Sequence, residues 1–170
     1  MKPCGNHLRQ SLRAAAALLL ASTMLFSQAL AATITPYEDT VTLEKNQQTF
    51  TLEVNLSEEV PFAGAEFGLD LPEGMTLTNV EFLDPAVQEA SHTPEVTVNG
   101  RTYFSFYTGE NVFFGELSVA RLTFTYAGAS DGAIQLGSSK VVTVRDDGST
   151  QGDTSSAPFT VAIIRKGVKL

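Results

Sequence analysis

Residues 62–82, FAGAEFGLDLPEGMTLTNVEF, alternate small or polar residues with apolar ones. Ala65, Phe67, Leu69 and Leu71 share one parity, and Glu66, Gly68 and Asp70 share the other. A period of two over this length means an extended strand with one buried face. Pro72-Glu73-Gly74 ends the ladder, because proline lacks a donor N–H and glycine takes turn conformations readily. A second strand over 75–83 follows at once. The centre of the chain is therefore a strand, a turn and a strand. The outward parity is expected to form a nearly flat patch, since Gly68 carries no side chain. On that expectation a tyrosine at Gly68 blocks the patch and leaves the melting temperature nearly unchanged.

The flanking segments repeat the pattern. Residues 33–35 and 40–43 read as a first strand broken by Pro36. Residues 48–56 alternate with Phe50, Leu52, Val54 and Leu56 on one face. Residues 84–94 read as irregular, with a helical turn over 85–90. Asn99-Gly100 between the runs 95–98 and 101–107 predicts a hairpin, because both residues accept positive φ. In its second strand Phe104 and Phe106 face the core, leaving Tyr103, Ser105 and Tyr107 outward. Residues 108–115 read as a loop with two exposed phenylalanines, or as a short edge strand.

The apolar phase of 116–126 slips between Leu117/Val119 and Leu122/Phe124/Tyr126, which predicts a bulge near Ala120-Arg121. Strands are expected at 133–136 and 140–144, a polar loop at 145–157, and a last strand at 158–164. That last run is apolar on both faces and reads as deeply buried. About nine short strands, frequent turns and no convincing helix make the fold all-β, a β-sandwich. No internal repeat is present.

Residues 1–31 read as a secretory signal peptide: Lys2, Arg9 and Arg13 precede an apolar run over 14–26 and an Ala29-Leu30-Ala31 cleavage site. The run is shorter than the roughly 20 residues a membrane helix needs. One domain over 32–165 and a short basic tail over 166–170 complete the expected organisation, secreted to the outside of the cell or to its surface. The only cysteine, Cys4, falls in the leader, so no disulfide is available to the domain. All 19 acids but only 8 of the 11 basic residues follow residue 31, a formal charge of −11. Such a domain repels phosphate backbones and anionic lipid surfaces, which argues against nucleic acid and membrane partners.

Catalysis has little to build on. Nucleophilic chemistry needs a base beside the nucleophile, and after the leader there is one histidine, His92, expected in a solvated loop. Paired carboxylates for glycoside hydrolysis cannot be singled out from acids scattered over a polar face. Asp146-Asp147-Gly148 lacks the alternating spacing of a calcium loop and reads as a turn. Asn55-Leu56-Ser57 matches a glycosylation sequon in mid-strand. No enzyme, metal or cofactor is expected. What remains is a surface: Glu66, Gly68 and Asp70 on one strand, with Tyr103, Ser105 and Tyr107 on another. Exposed tyrosines beside a flat patch suit protein or sugar partners, since each ring offers area at low entropic cost.

Residues 64–71, GAEFGLDL, with Leu77, Val80 and Phe82 behind them, resemble the third and fourth strands of cohesin domains. Residues 103–106 resemble that family's sixth strand, 119–124 its seventh, and 141–144 with Asp147-Gly148 its eighth strand and following turn. The resemblance implies a cohesin-like sandwich of jelly-roll type, shared with cellulose-binding modules. It also implies a non-catalytic receptor for dockerin modules of polysaccharide-degrading enzymes, with calcium carried by the partner. In the family the partner lies on the third, fifth, sixth and eighth strands. Glu66 falls where the family places an acid or amide, and Gly64 where a side-chain amide is common. The site implied is Glu66, Gly68, Asp70, Tyr103, Ser105 and Tyr107. Polysaccharide binding by the same sandwich, or an adhesive role with no dedicated ligand, are the other readings of such a surface.

Overall fold

The structure, a computed structural model, describes residues 32–167. The expected leader and the end of the basic tail, 168–170, lie outside the described residues. Among the described residues ten strands and one short helix follow in order: β1 (Thr33–Pro36), β2 (Thr40–Leu43), β3 (Thr49–Asp70), β4 (Met75–Phe82), α1 (Pro85–Glu89), β5 (Ser91–Val98), β6 (Arg101–Tyr107), β7 (Phe113–Tyr126), β8 (Gly132–Val144), β9 (Thr150–Thr154) and β10 (Thr160–Arg165).

β3 organises the rest. The two expected strands at 48–56 and 62–71 are one strand of 22 residues. Residues 49–57 pair antiparallel with β7 and, along one edge, with β1; β4 then adds to β7. Residues 62–70 pair antiparallel with β6 on one side and β8 on the other. The second layer reads β2-β10-β8-β3-β6-β5, with β2 joined to β10 in parallel. β3 thus crosses from one layer to the other at 58–61, where its register to β7 breaks between Glu58 and Phe62. Glu58 is 2% exposed at that crossing. Its carboxylate accepts from the Val60 N–H (3.1 Å) and the Thr154 hydroxyl (3.2 Å), as a buried polar group must.

The inward parities meet in an aromatic core. Phe67 stacks on Phe104 at 4.7 Å, and Phe106 meets Phe113 edge-on at 5.1 Å. Phe113 also touches Phe62 (5.4 Å), so the layers interlock through rings at favoured separations. Phe113 is 4% exposed, against the expectation of two exposed phenylalanines; only Phe114 points to water, at 64%. The reason is that β7 starts at Phe113, and pairing with Phe62 fixes its parity inward.

Other expectations shift by small amounts. The helical turn after β4 is α1, capped by Asp84, whose Oδ1 accepts from the Ala86 N–H at 2.9 Å. The hairpin turns at Asn99 (φ 52°) and Gly100 (φ 81°). The β7 bulge falls at Val119, between the pairs Asn55–Ser118 and Val54–Ala120, one residue before its expected place. The expected pair 133–136 and 140–144 is a single strand, β8, with a register shift at Gly137. The expected loop 145–157 contains β9, a polar strand hydrogen-bonded along β8. β10 is buried on one face only, with Ile164 39% exposed, because none of the described residues covers its outer side. His92 lies in β5 and not in a loop: Nε2 donates to the Val87 carbonyl at 2.6 Å, and the ring stacks on Phe82 at 4.0 Å. Asn55 faces outward, its Oδ1 accepting from the Ser118 hydroxyl at 3.1 Å.

Candidate functional site

Strand parity places the six expected site residues on one face. In the β3–β6 ladder Gly64 stands opposite Tyr107, Glu66 opposite Ser105, Gly68 opposite Tyr103 and Asp70 opposite Arg101. Because inward Phe67, Phe104 and Phe106 hold this register, the outward residues are held with it. β8 adds Lys140 beside Glu66 and Ser138 beside Gly68. β5 adds Val96 beside Tyr103 and Val98 beside Arg101, after a register shift at Pro94-Glu95. A proline fits that edge strand because its missing N–H falls at the bulge. β8, β3, β6 and β5 therefore form one continuous outer surface.

The surface is not flat at Gly68. Gly68 is buried, covered by the side chains of Ser138, Tyr103 and Arg101 that lean in from both neighbouring strands. A Cβ there would meet Ser138 Oγ, Tyr103 Cε1 (2.8 Å) and Arg101 Cδ (2.9 Å). A tyrosine at 68 must therefore displace them, so it lowers the melting temperature instead of leaving it nearly unchanged. The depression lies instead over Gly64, a groove of about 260 Å³ walled by Glu66, Ser105, Tyr107, Thr108, Lys140 and Val142.

The charges on the face differ in availability. Asp70 receives Arg101 Nε on Oδ1 (2.7 Å) and Nη2 on Oδ2 (2.9 Å), a bidentate pair laid across Gly137. The hydrogen bond that Arg101 donates to Asp70 raises the guanidinium pKa above its usual value, so Arg101 stays charged. Lys140 pairs with Asp153 at 3.1 Å. Glu66 is exposed and makes no ion pair or side-chain hydrogen bond among the described residues. Around it the apolar surface is concentrated over β5 and β6: Tyr107 is 54% exposed, Val98 50% and Val96 48%. Away from the face, Asp147 has its pKa lowered by hydrogen bonds from the Ser149 hydroxyl and N–H, a closed turn with Gly148 at φ 79°.

Sequence reasoning missed Arg101, Lys140, Val96 and Val98. Arg101 was legible in principle, since the Asn99-Gly100 turn fixes which residue opens β6 and its parity with Tyr103 is plain. Lys140 was not, because its face depends on the Gly137 register shift.

No family model matches the sequence, and no curated protein matches it either. Solved structures do. A non-cellulosomal cohesin from the archaeon Archaeoglobus fulgidus superposes with a TM-score of 0.57 at 12% identity, covering 79% of this chain and 91% of that one. A cohesin module from a family 33 glycoside hydrolase of Clostridium perfringens gives 0.58 at 14% identity, covering 80% and 98%. The cohesin of a type I cohesin–dockerin complex from Clostridium thermocellum gives 0.54 at 15% identity, covering 79% and 94%. Among the described residues no helix is long and apolar enough to cross a membrane. The chain folds as an all-β sandwich of the cohesin type.

Proposed function

We propose that this protein is a secreted, non-catalytic receptor that docks a partner protein, a calcium-loaded dockerin-type module, on the β8-β3-β6-β5 face. One observation carries the reading: four adjacent strands bring Glu66, Gly68, Asp70, Tyr103, Ser105 and Tyr107 into one surface, beside exposed Val96 and Val98. An apolar half beside a lone unpaired carboxylate is the anatomy of a protein-binding patch with a polar edge. The type I cohesin of the Clostridium thermocellum complex, which has the same fold, is bound to a dockerin.

In this reading the Tyr107–Val98 half contributes buried area, the groove over Gly64 takes one side chain of the partner, and Glu66 takes a basic group. Asp70 contributes through Arg101, whose guanidinium it holds in place. A difference between the two acids follows. Glu66→Gln is expected to weaken binding about tenfold and to reduce its salt dependence. Asp70→Asn is expected to change salt dependence less, since Asp70 already carries a counter-charge. The measurement is surface plasmon resonance of the protein against a panel of calcium-loaded dockerin modules, with and without EDTA, at two salt concentrations. Saturable binding lost on chelation supports the reading. No binding across the panel, together with retention on insoluble polysaccharide, would overturn it in favour of sugar recognition.

A further inference from the structure

Two arginines of the domain turn the same edge of their guanidinium onto a carboxylate. Arg101 places Nε and Nη2 on Asp70, and Arg121 places Nε (3.0 Å) and Nη2 (2.7 Å) on Glu53. Arg165 is far more buried, at 8% exposure, and makes no ion pair among the described residues. Its Nη1 donates to the carbonyls of Gln47 (2.8 Å) and Glu44 (3.4 Å), and Nη2 to that of Tyr126 (3.2 Å). The guanidinium lies 5.2 Å from the centre of the Tyr126 ring. Nε has no hydrogen-bond partner. Asp131, the nearby acid, accepts from the Arg165 backbone N–H at 2.7 Å and not from the guanidinium.

Beside Arg165 opens a cavity of about 330 Å³, lined by Lys45, Asn46, the loop 127–129 and Lys166. No aspartate or glutamate lines it, in a chain with 19 acids against 11 basic residues. Lys166 leans out to Glu44 at 2.6 Å, while Lys45 makes no ion pair among the described residues. A buried cation without a counter-charge is costly, and neighbouring cations add repulsion across a low-dielectric wall. An anion in the cavity relieves both. The volume is at the lower end of small-ligand sites, room for a sugar ring or a smaller acid.

We propose that this cavity is a site for one carboxylate group, borne by a small free acid or by a uronate sugar. It is remote in sequence from the docking face and independent of that reading. Lys45 holds the carboxylate, and Lys166 joins it by turning in from Glu44. Arg165, its Nε sealed from solvent, attracts it through the cavity wall while keeping its carbonyl bonds.

The test is an NMR titration of the full chain with sodium galacturonate, sodium acetate and glucose, following the amides of 127–129 and 165–167. Saturating shifts with galacturonate and none with glucose are expected. Acetate binding as tightly supports a bare carboxylate as the ligand, and weaker acetate binding supports the uronate. Lys45→Ala is expected to weaken binding about fivefold with an unchanged melting temperature. Carboxylates that leave these amides unmoved through the millimolar range would overturn the proposal. So would glucose matching galacturonate, or Lys45→Ala binding as the parent does.

Discussion

Phe106→Ala is expected to destabilise the protein by about 3–5 kcal/mol, the range for removing a fully buried ring. Phe106 is 1% exposed and touches rings on three other strands: Phe67 of β3 (6.4 Å), Phe82 of β4 (6.2 Å) and Phe113 of β7 (5.1 Å). β4 and β7 belong to one layer and β6 to the other, so this ring is a tie between layers. Its loss leaves a cavity among these rings. The described residues contain no cysteine, so no cross-link limits the unfolded chain. Against a typical domain stability of about 5–15 kcal/mol, the change is a third or more of the total. The adjacent Tyr107→Ala is the control. Tyr107 is 54% exposed on the opposite face, and its removal is expected to shift stability by no more than about 0.5 kcal/mol. Urea denaturation of the two variants measures the difference; equal losses would mean that Phe106 is not a layer tie.

The same two neighbours show why so much of the face was readable from sequence. Strand parity is a local property: once Phe104 and Phe106 are buried, Tyr103, Ser105 and Tyr107 have nowhere to point but out. The Asn99-Gly100 turn then fixes the hairpin, and the period-two run at 64–70 does the same for Glu66 and Asp70. What stayed hidden depends on tertiary register. Phe113 is inward only because β7 extends back to meet Phe62, which no residue near 113 announces. β9 has no apolar alternation in Thr-Gln-Gly-Asp-Thr; it is a strand because β8 offers it a hydrogen-bonding edge. The cover over Gly68 comes from side chains on two other strands, one of which, β8, was expected as two fragments. Periodicity reveals which way a side chain points, and not what leans over it.

Gly64→Ala is expected to cost more than Gly68→Ala, although both glycines are buried on the same strand and face. At Gly64 a Cβ would lie 2.6 Å from the Phe106 carbonyl oxygen and 2.9 Å from Tyr107 Cα and Cβ. Two of these are main-chain atoms of β6, the strand to which Gly64 is paired, so relief means pulling β3 and β6 apart. That is overpacking against a ladder, and about 1–3 kcal/mol of destabilisation is expected. At Gly68 the obstacles are side-chain atoms of Ser138, Tyr103 and Arg101, none of them backbone, and side chains yield more readily than a paired strand. The melting temperature of Gly64→Ala should therefore fall clearly below that of Gly68→Ala; the reverse order would place the rigid contact at the wrong glycine. The comparison also bears on recognition. The groove over Gly64 exists because glycine puts no side chain into it. A partner that lays a side chain there uses space the fold leaves empty. The groove should thus keep its shape in the free protein, and binding through it needs no rearrangement of the sheet.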